Sequence, residues 1–196
     1  RCSRQFSICR KIIDCKRKVP NMFIRLALVA SALIAVPTSA SANPDIGAAP
    51  AAVTLKGDLG GRVDGTEWTS DMLKDKVWGF FYVDRDKKDI NEKLEAKLKE
   101  QNFPADKYGS VAVINMDATW LPNGIIASSL KSKQEQYPTT VYVKDLKRHL
   151  VKEWKLKDDD YNALVFDKEG KVRFFKSGAL ADADIETMIS TIKSLL

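Results

Sequence analysis

The chain has 196 residues, of which 32 are Lys or Arg, 26 Asp or Glu and one His, for a formal charge of +6. With 44% hydrophobic and 30% charged residues it falls among ordinary folded proteins, outside the disordered, collagen-like and polytopic-membrane classes. The charge is uneven: residues 1–42 carry eight basic residues against Asp14 alone, together with all three cysteines, Cys2, Cys9 and Cys15, so the remainder is close to neutral and thiol-free.

Residues 1–21 alternate Arg, Lys and Cys with isolated aliphatics and have no apolar period, which reads as an upstream or non-native leader. From Met22 a short basic start is followed by the apolar run Leu26 to Val36 and by small residues ending in Ala40-Ser41-Ala42. This is the layout of a secretory signal peptide with cleavage after Ala42, and the run is too short for a stable membrane anchor, which needs about 20 apolar residues. The expected destination is therefore outside the cytoplasm, and nucleic acid is not an expected partner because export removes it.

Residues 43–58 are small and Pro-containing and read as an extended or mobile lead-in to a domain over 59–196. Four glycines between Gly57 and Gly65 predict turns about a small hairpin, with Arg62-Val63 and Thr66 to Trp68 as its arms. Thr69-Ser70 reads as the N-cap of one helical turn. Val77 to Val83 is a continuous apolar run and predicts a strand buried on both faces. After Asp84 to Asp89, the spacing of Ile90, Leu94 and Leu98 predicts a surface helix stopped before Phe103-Pro104.

Ser110 to Met116 reads as a second buried strand, Asp117 to Asn123 as a loop, Gly124 to Gln136 as a helix and Thr139 to Val143 as a third strand. Leu150 to Leu156 fits helix and strand equally. Asn162 to Phe166 and Lys171 to Lys176, joined by Asp167-Lys-Glu-Gly170, form the clearest hairpin, because the glycine supplies the left-handed position of the turn. Asp182 or Asp184 caps a last helix with Ile185, Met188, Ile189, Ile192 and Leu195 on one face. The order β-α-β-α-β, then hairpin, then helix, is that of an α/β thioredoxin-like sandwich, a mixed central sheet flanked by helices; other mixed-sheet folds share the pattern.

Ser128-Ser129-Leu130 through Tyr137-Pro138, then Trp154-x-Leu156, Val165 to Val172 and Lys176-Ser-Gly-Ala-Leu180 resemble the YtfJ family of bacterial periplasmic proteins, from about Leu59 to the C-terminus. The resemblance implies a thioredoxin-like fold in a Gram-negative periplasm and implies no particular activity. Catalytic thioredoxins place Cys-x-x-Cys where a buried strand meets a helix N-terminus. Here that junction is Val83-Asp84-Arg85-Asp86-Lys87, and no proline stands near Asp160-Tyr161-Asn162, where the fold's cis-proline would fall. Thiol-disulfide oxidoreductase activity is not expected, nor is a disulfide in the body.

In an open α/β sheet the crevice beyond the carboxyl ends of the strands is the default ligand position. Arg85 and Asp117 follow the first two buried strands and are expected there with Trp120 and Tyr161, receiving a small anion, a peptide or a periplasmic protein. The competing reading is a cysteine-independent redox protein holding flavin or haem in the same crevice, although no cofactor motif is present. No metal site is expected: Asp158-Asp159-Asp160 lacks the spacing of a calcium loop and reads as a solvated turn, and His149, the lone histidine, reads as a surface residue. The protein is thus expected to be a non-catalytic binding or interaction module.

Overall fold

A computed structural model describes residues 43–117 and 123–196, the side chains of 123–127 excepted. Every described residue belongs to one compact unit, Ser39–Leu196. The leader and the signal-peptide segment lie outside the described residues.

The elements are β1 (Thr54–Leu55), β2 (Gly60–Arg62), β3 (Trp68–Thr69), β4 (Val77–Asp84), α1 (Glu92–Gln101), β5 (Tyr108–Asn115), α2 (Asn123–Gln136), β6 (Thr140–Asp145), α3 (His149–Trp154), β7 (Tyr161–Phe166), β8 (Val172–Ser177) and α4 (Asp182–Leu195). Six strands form one sheet in the order β2-β6-β5-β4-β7-β8, and β1 pairs with β3 apart from it. The pairs β4-β5 and β5-β6 are parallel; β4-β7, β7-β8 and β2-β6 are antiparallel. A parallel β-α-β core extended by an antiparallel hairpin and closed by a helix is the thioredoxin-like sandwich.

Strand β4 is central and every residue of it is buried, as the apolar run predicts. Alternate side chains feed two cores. One face carries Trp78, Phe80 and Tyr82 into a core with Trp68, Trp154 and Phe166; the other carries Val77, Phe81 and Val83 into a core with Leu94 and the α4 residues Ile185, Met188, Ile189 and Ile192. Strand β5 is instead buried at every second residue, because only one of its faces points into the first core. Leu150 and Trp154 settle the ambiguous 150–156 segment as helix α3, since both are needed against that core.

The predicted hairpin over 57–68 is not formed. Its turn exists, with the Arg62 amide donating to the Thr66 carbonyl at 2.9 Å, but the two arms diverge: β2 joins β6 and β3 joins β1. Gly60 makes the first pairing possible, because a Cβ there would stand 1.9 Å from the Lys144 carbonyl oxygen. Ser70 does not cap its turn. Its hydroxyl accepts the Val53 amide at 2.9 Å and so fastens the lead-in.

That lead-in is docked along the body: the Gly47 amide donates to the Val172 carbonyl, the Val172 amide to Ala48, and the Trp154 indole N–H to Ala51 at 2.8 Å. Helix α1 starts two residues after Ile90, which stays in the preceding turn and is exposed, while Leu94 is fully buried. At the β7-β8 turn Gly170 has φ +77°, as the Asp-x-x-Gly pattern requires. Asp167 organises that turn. Burial alone would raise its pKa, but the Lys171 amide, the Arg173 guanidinium and the Glu169 amide outweigh it and hold the carboxyl below its ordinary range. At the start of α4 it is Asp184, not Asp182, whose carboxylate accepts the free Ala181 amide.

Candidate functional site

The carboxyl ends of β4, β5 and β6 lie side by side, and the register places Asp84, Asn115 and Asp145 in one row across them. Each follows its strand's core-facing residues by two: Asp84 shares the face of Phe80 and Tyr82, Asn115 that of Val111 and Val113, Asp145 that of Val143. The row therefore caps the first core with polar groups. Asp84 is 4% exposed, Asn115 and Asp145 not at all.

The Asp145 carboxylate is fully used. It accepts the amides of Lys147 at 3.1 Å and of His149 and Leu150 at 2.9 Å, and the Tyr82 hydroxyl at 3.3 Å. The phenol is in turn pushed to a higher pKa by burial and by the Asp145 charge. His149, read from sequence as a surface residue, is half-buried, with its amide in this set.

Asp84 and Asn115 are only half used. One Asp84 oxygen accepts the Asp86 amide at 3.0 Å and the Asn115 carbonyl oxygen accepts the Asp117 amide at 3.1 Å. Asp84 Oδ2 and Asn115 Nδ2 are buried with no partner among the described residues. Burial raises the Asp84 pKa; the Asp86 amide opposes the rise, and the charges of Asp159, Asp86 and Asp158 add to it. Between the ordinary aspartate pKa of about 3.9 and the raised folded value, the native state keeps a proton that the unfolded chain releases, so stability falls as pH rises through that window. Asp84→Asn keeps the acceptor for Asp86 and removes the ionisation. Its melting temperature is expected to exceed that of the parent at pH 7, with the difference closing toward pH 3; a parent that stays the more stable at pH 7 would contradict the assignment.

Of the residues singled out from sequence, Arg85 and Asp117 do follow adjacent strands at this edge. Arg85 opens a short helical turn, Arg85–Lys87, and its Nη1 is buried without a partner among the described residues. Asp117 is committed to Arg148, whose Nε donates to it at 2.9 Å while Nη1 donates to Asp158 at 2.9 Å. Tyr161 stands apart: its side chain is 1% exposed in the second core, with its ring 6.2 Å from that of Phe81. Trp120 lies outside the described residues.

Arg148, Asp145 and Asn115 were not legible as site residues. The Asp158-Asp159-Asp160 run is more than a solvated turn, since Asp158 holds Arg148 and Asp160, 8% exposed, pairs with Lys157 at 2.8 Å. No cluster of His, Cys, Asp and Glu suited to a metal ion occurs among the described residues. An open groove of about 430 Å³ adjoins the row, lined by Asp58, Met116, Asp117, Leu146 and Lys147.

The junction after β4 differs from a thiol site in geometry as well as in residue type. The strand passes into the Arg85–Lys87 turn and α1 begins only at Glu92. The Asp86 amide within that turn is already bound by Asp84. Across the edge Asn162 clamps the segment before β7, accepting the Lys157 amide and donating to the Lys157 carbonyl, both at 2.9 Å.

Residues 49–195 match the profile of a family described as "Bacterial protein of unknown function (YtfJ_HI0045)". An uncharacterized protein of Haemophilus influenzae is 32% identical over 109 residues, 55% of this chain and 59% of that protein. The uncharacterized protein YtfJ of Escherichia coli is 26% identical over 132 residues, 66% of this chain and 72% of that one. Among solved structures, a peroxiredoxin-like protein from Aquifex aeolicus superposes with a TM-score of 0.54 at 14% identity, over 79% of this chain and 89% of that chain. That likeness bears on the fold.

Proposed function

Because the chain belongs to the YtfJ_HI0045 family of bacterial proteins, whose described relatives carry no assigned activity, we propose its role from its own residues: an exported, periplasmic binding module of thioredoxin-like fold that holds its ligand at the carboxyl ends of β4, β5 and β6 and performs no thiol exchange. The observation that carries this reading is the junction after β4. Asp84-Arg85-Asp86-Lys87 stands where a redox pair would stand, and the sequence contains no cysteine beyond Cys15. A thiol placed there would also lack the helix N–H groups that lower a thiol pKa, since α1 starts five residues further on than Lys87.

The charges around the crevice favour a peptide over a small anion. Asp58 and Asp117 line the groove with Lys147, the charges of Asp86, Asp158 and Asp159 act on Asp84, and Arg148 is already shared between two carboxylates. Export is supported by the Met22 to Ala42 pattern.

Two measurements test the reading. Osmotic-shock fractionation with N-terminal sequencing should recover the protein in the periplasm beginning at Asn43. The purified protein should reduce no insulin disulfides in the presence of dithiothreitol above the rate of dithiothreitol alone. Reductase activity, or a chain retained in the cytoplasm with its leader, would reject it.

A further inference from the structure

We propose that Asp84 and Asn115 together form the floor of a site for a primary carboxamide, such as the side chain of an Asn or Gln in a bound peptide, and that the Asp117–Arg148–Asp158 bridge is the latch over its entrance. The inference rests on the binding-module reading and names the group that module takes.

The two residues are direct partners in a parallel ladder, so their Cα atoms are about 4.8 Å apart, with both side chains on the same face. Each spends one half on its own chain, Asp84 on the Asp86 amide and Asn115 on the Asp117 amide. The latter bond fixes which end of the Asn115 carboxamide points outward, since only its oxygen can accept an N–H. What remains is one acceptor, Asp84 Oδ2, and one donor, Asn115 Nδ2, on paired residues of adjacent strands, both buried and neither satisfied by the other. A buried polar atom left without its hydrogen bond is costly, so the pair is poised toward an occupant.

Chemistry selects that occupant. A primary carboxamide carries an N–H and a C=O on one edge, so it can donate to Oδ2 and accept from Nδ2 at once. A carboxylate offers two acceptors and sets a negative charge against Asp84. A guanidinium offers donors only and leaves Nδ2 idle. A trans secondary amide points its N–H and C=O in opposite directions and can satisfy only one of the two.

The bridge explains how a buried pair is reached. Arg148 joins Asp117, two residues beyond Asn115, to Asp158, two residues before Asp160, whose carbonyl accepts the Asp84 amide at 3.0 Å. It therefore ties together the two segments that leave the pair on either side. Its three side chains are 37–40% exposed, so water competes for the bridge and opening it is cheap.

The test is a titration of the purified, ¹⁵N-labelled protein, read at the Asn115 side-chain N–H₂ and at the amides of Asp86 and Asp117, with acetamide, N-methylacetamide, acetate and guanidinium as separate probes. Acetamide should shift these signals saturably, with a dissociation constant on the order of millimolar for so small a ligand. The other three probes should act at least about tenfold more weakly, because none satisfies both groups. Arg148→Gln should tighten acetamide by about three- to fivefold, the worth of an exposed bridge. Asn115→Asp, which turns the donor into an acceptor at constant shape, should abolish the effect on Asp86 and Asp117.

Shifts that grow linearly without saturating, equal effects from N-methylacetamide, or an undiminished response in Asn115→Asp would overturn the carboxamide site. So would a water at Asn115 Nδ2 that acetamide fails to displace, for the pair is then a structural water site. A failed titration in protein that is periplasmic and inactive toward insulin discards the carboxamide floor alone; insulin reduction discards the module reading whatever the titration shows.

Discussion

Asp145→Ala is expected to destabilise the protein by about 3–5 kcal/mol, the range for removing one partner of a buried charged network. The carboxylate has no exposure and accepts three backbone amides and a phenol. Truncation leaves those donors without an acceptor, each worth about 1–3 kcal/mol before water enters the space. Two of them, His149 and Leu150, are the first amides of α3, a helix of six residues that makes no stabilising contribution by length alone. Loss of the acceptor should therefore also loosen Leu150 and Trp154, which α3 carries into the first core.

Asp145→Asn keeps one acceptor oxygen and should cost roughly half as much. Urea unfolding followed by far-ultraviolet circular dichroism measures both variants. A loss under about 1 kcal/mol in the alanine variant would mean that the carboxylate is not the organiser of this corner.

Trp154→Ala is the second large effect, also about 3–5 kcal/mol. The indole is 2% exposed and lies at the centre of an aromatic cluster, with ring centroids 5.1 Å from Phe80, 5.8 Å from Phe166 and 6.2 Å from Trp68. Alanine opens a cavity that these rigid rings cannot collapse to fill. The side chain also binds the lead-in through its N–H to the Ala51 carbonyl. The conservative Trp154→Phe keeps an aromatic body and removes that bond, and should cost about 1–2 kcal/mol.

A second readout separates the two roles of this side chain. Both should increase limited proteolysis within residues 43–53, because both release Ala51, whereas only the alanine variant should lower the unfolding midpoint strongly. Unchanged proteolysis in Trp154→Phe would show that the other lead-in bonds, from Gly47 and Val53, suffice to hold it.

The site was less legible than the fold. Arg85 and Asp117 could be placed from the rule that strand ends converge, and both do lie at that edge. Tyr161 could not: the first residue of β7 points to the opposite face from Asn162, and only the register Val83↔Tyr161 decides which face that is. Arg148 bonds residues 31 and 10 positions away, so no local spacing announces it. Asp145 looked like any acidic residue at the end of a strand. Its burial follows from the alternation that sends Val143 into the core and from the return of the chain into α3 directly above it.

Read alone, the sequence determined the elements whose signals are local: the apolar run of β4, the Asp167 to Gly170 hairpin, the amphipathic α4, the placement of the net positive charge and all cysteines before residue 43, and the order that implies a thioredoxin-like sheet. These depend on periods of two or 3.6 residues and on turn chemistry, which act over a few neighbours. Tertiary structure alone decided that β2 and β3 part company, that β5 is buried on one side, and that Asp84, Asn115 and Asp145 stand in one buried row. Such facts depend on strand order and register, which are fixed by burial of the whole sheet between two cores and not by any segment's own composition.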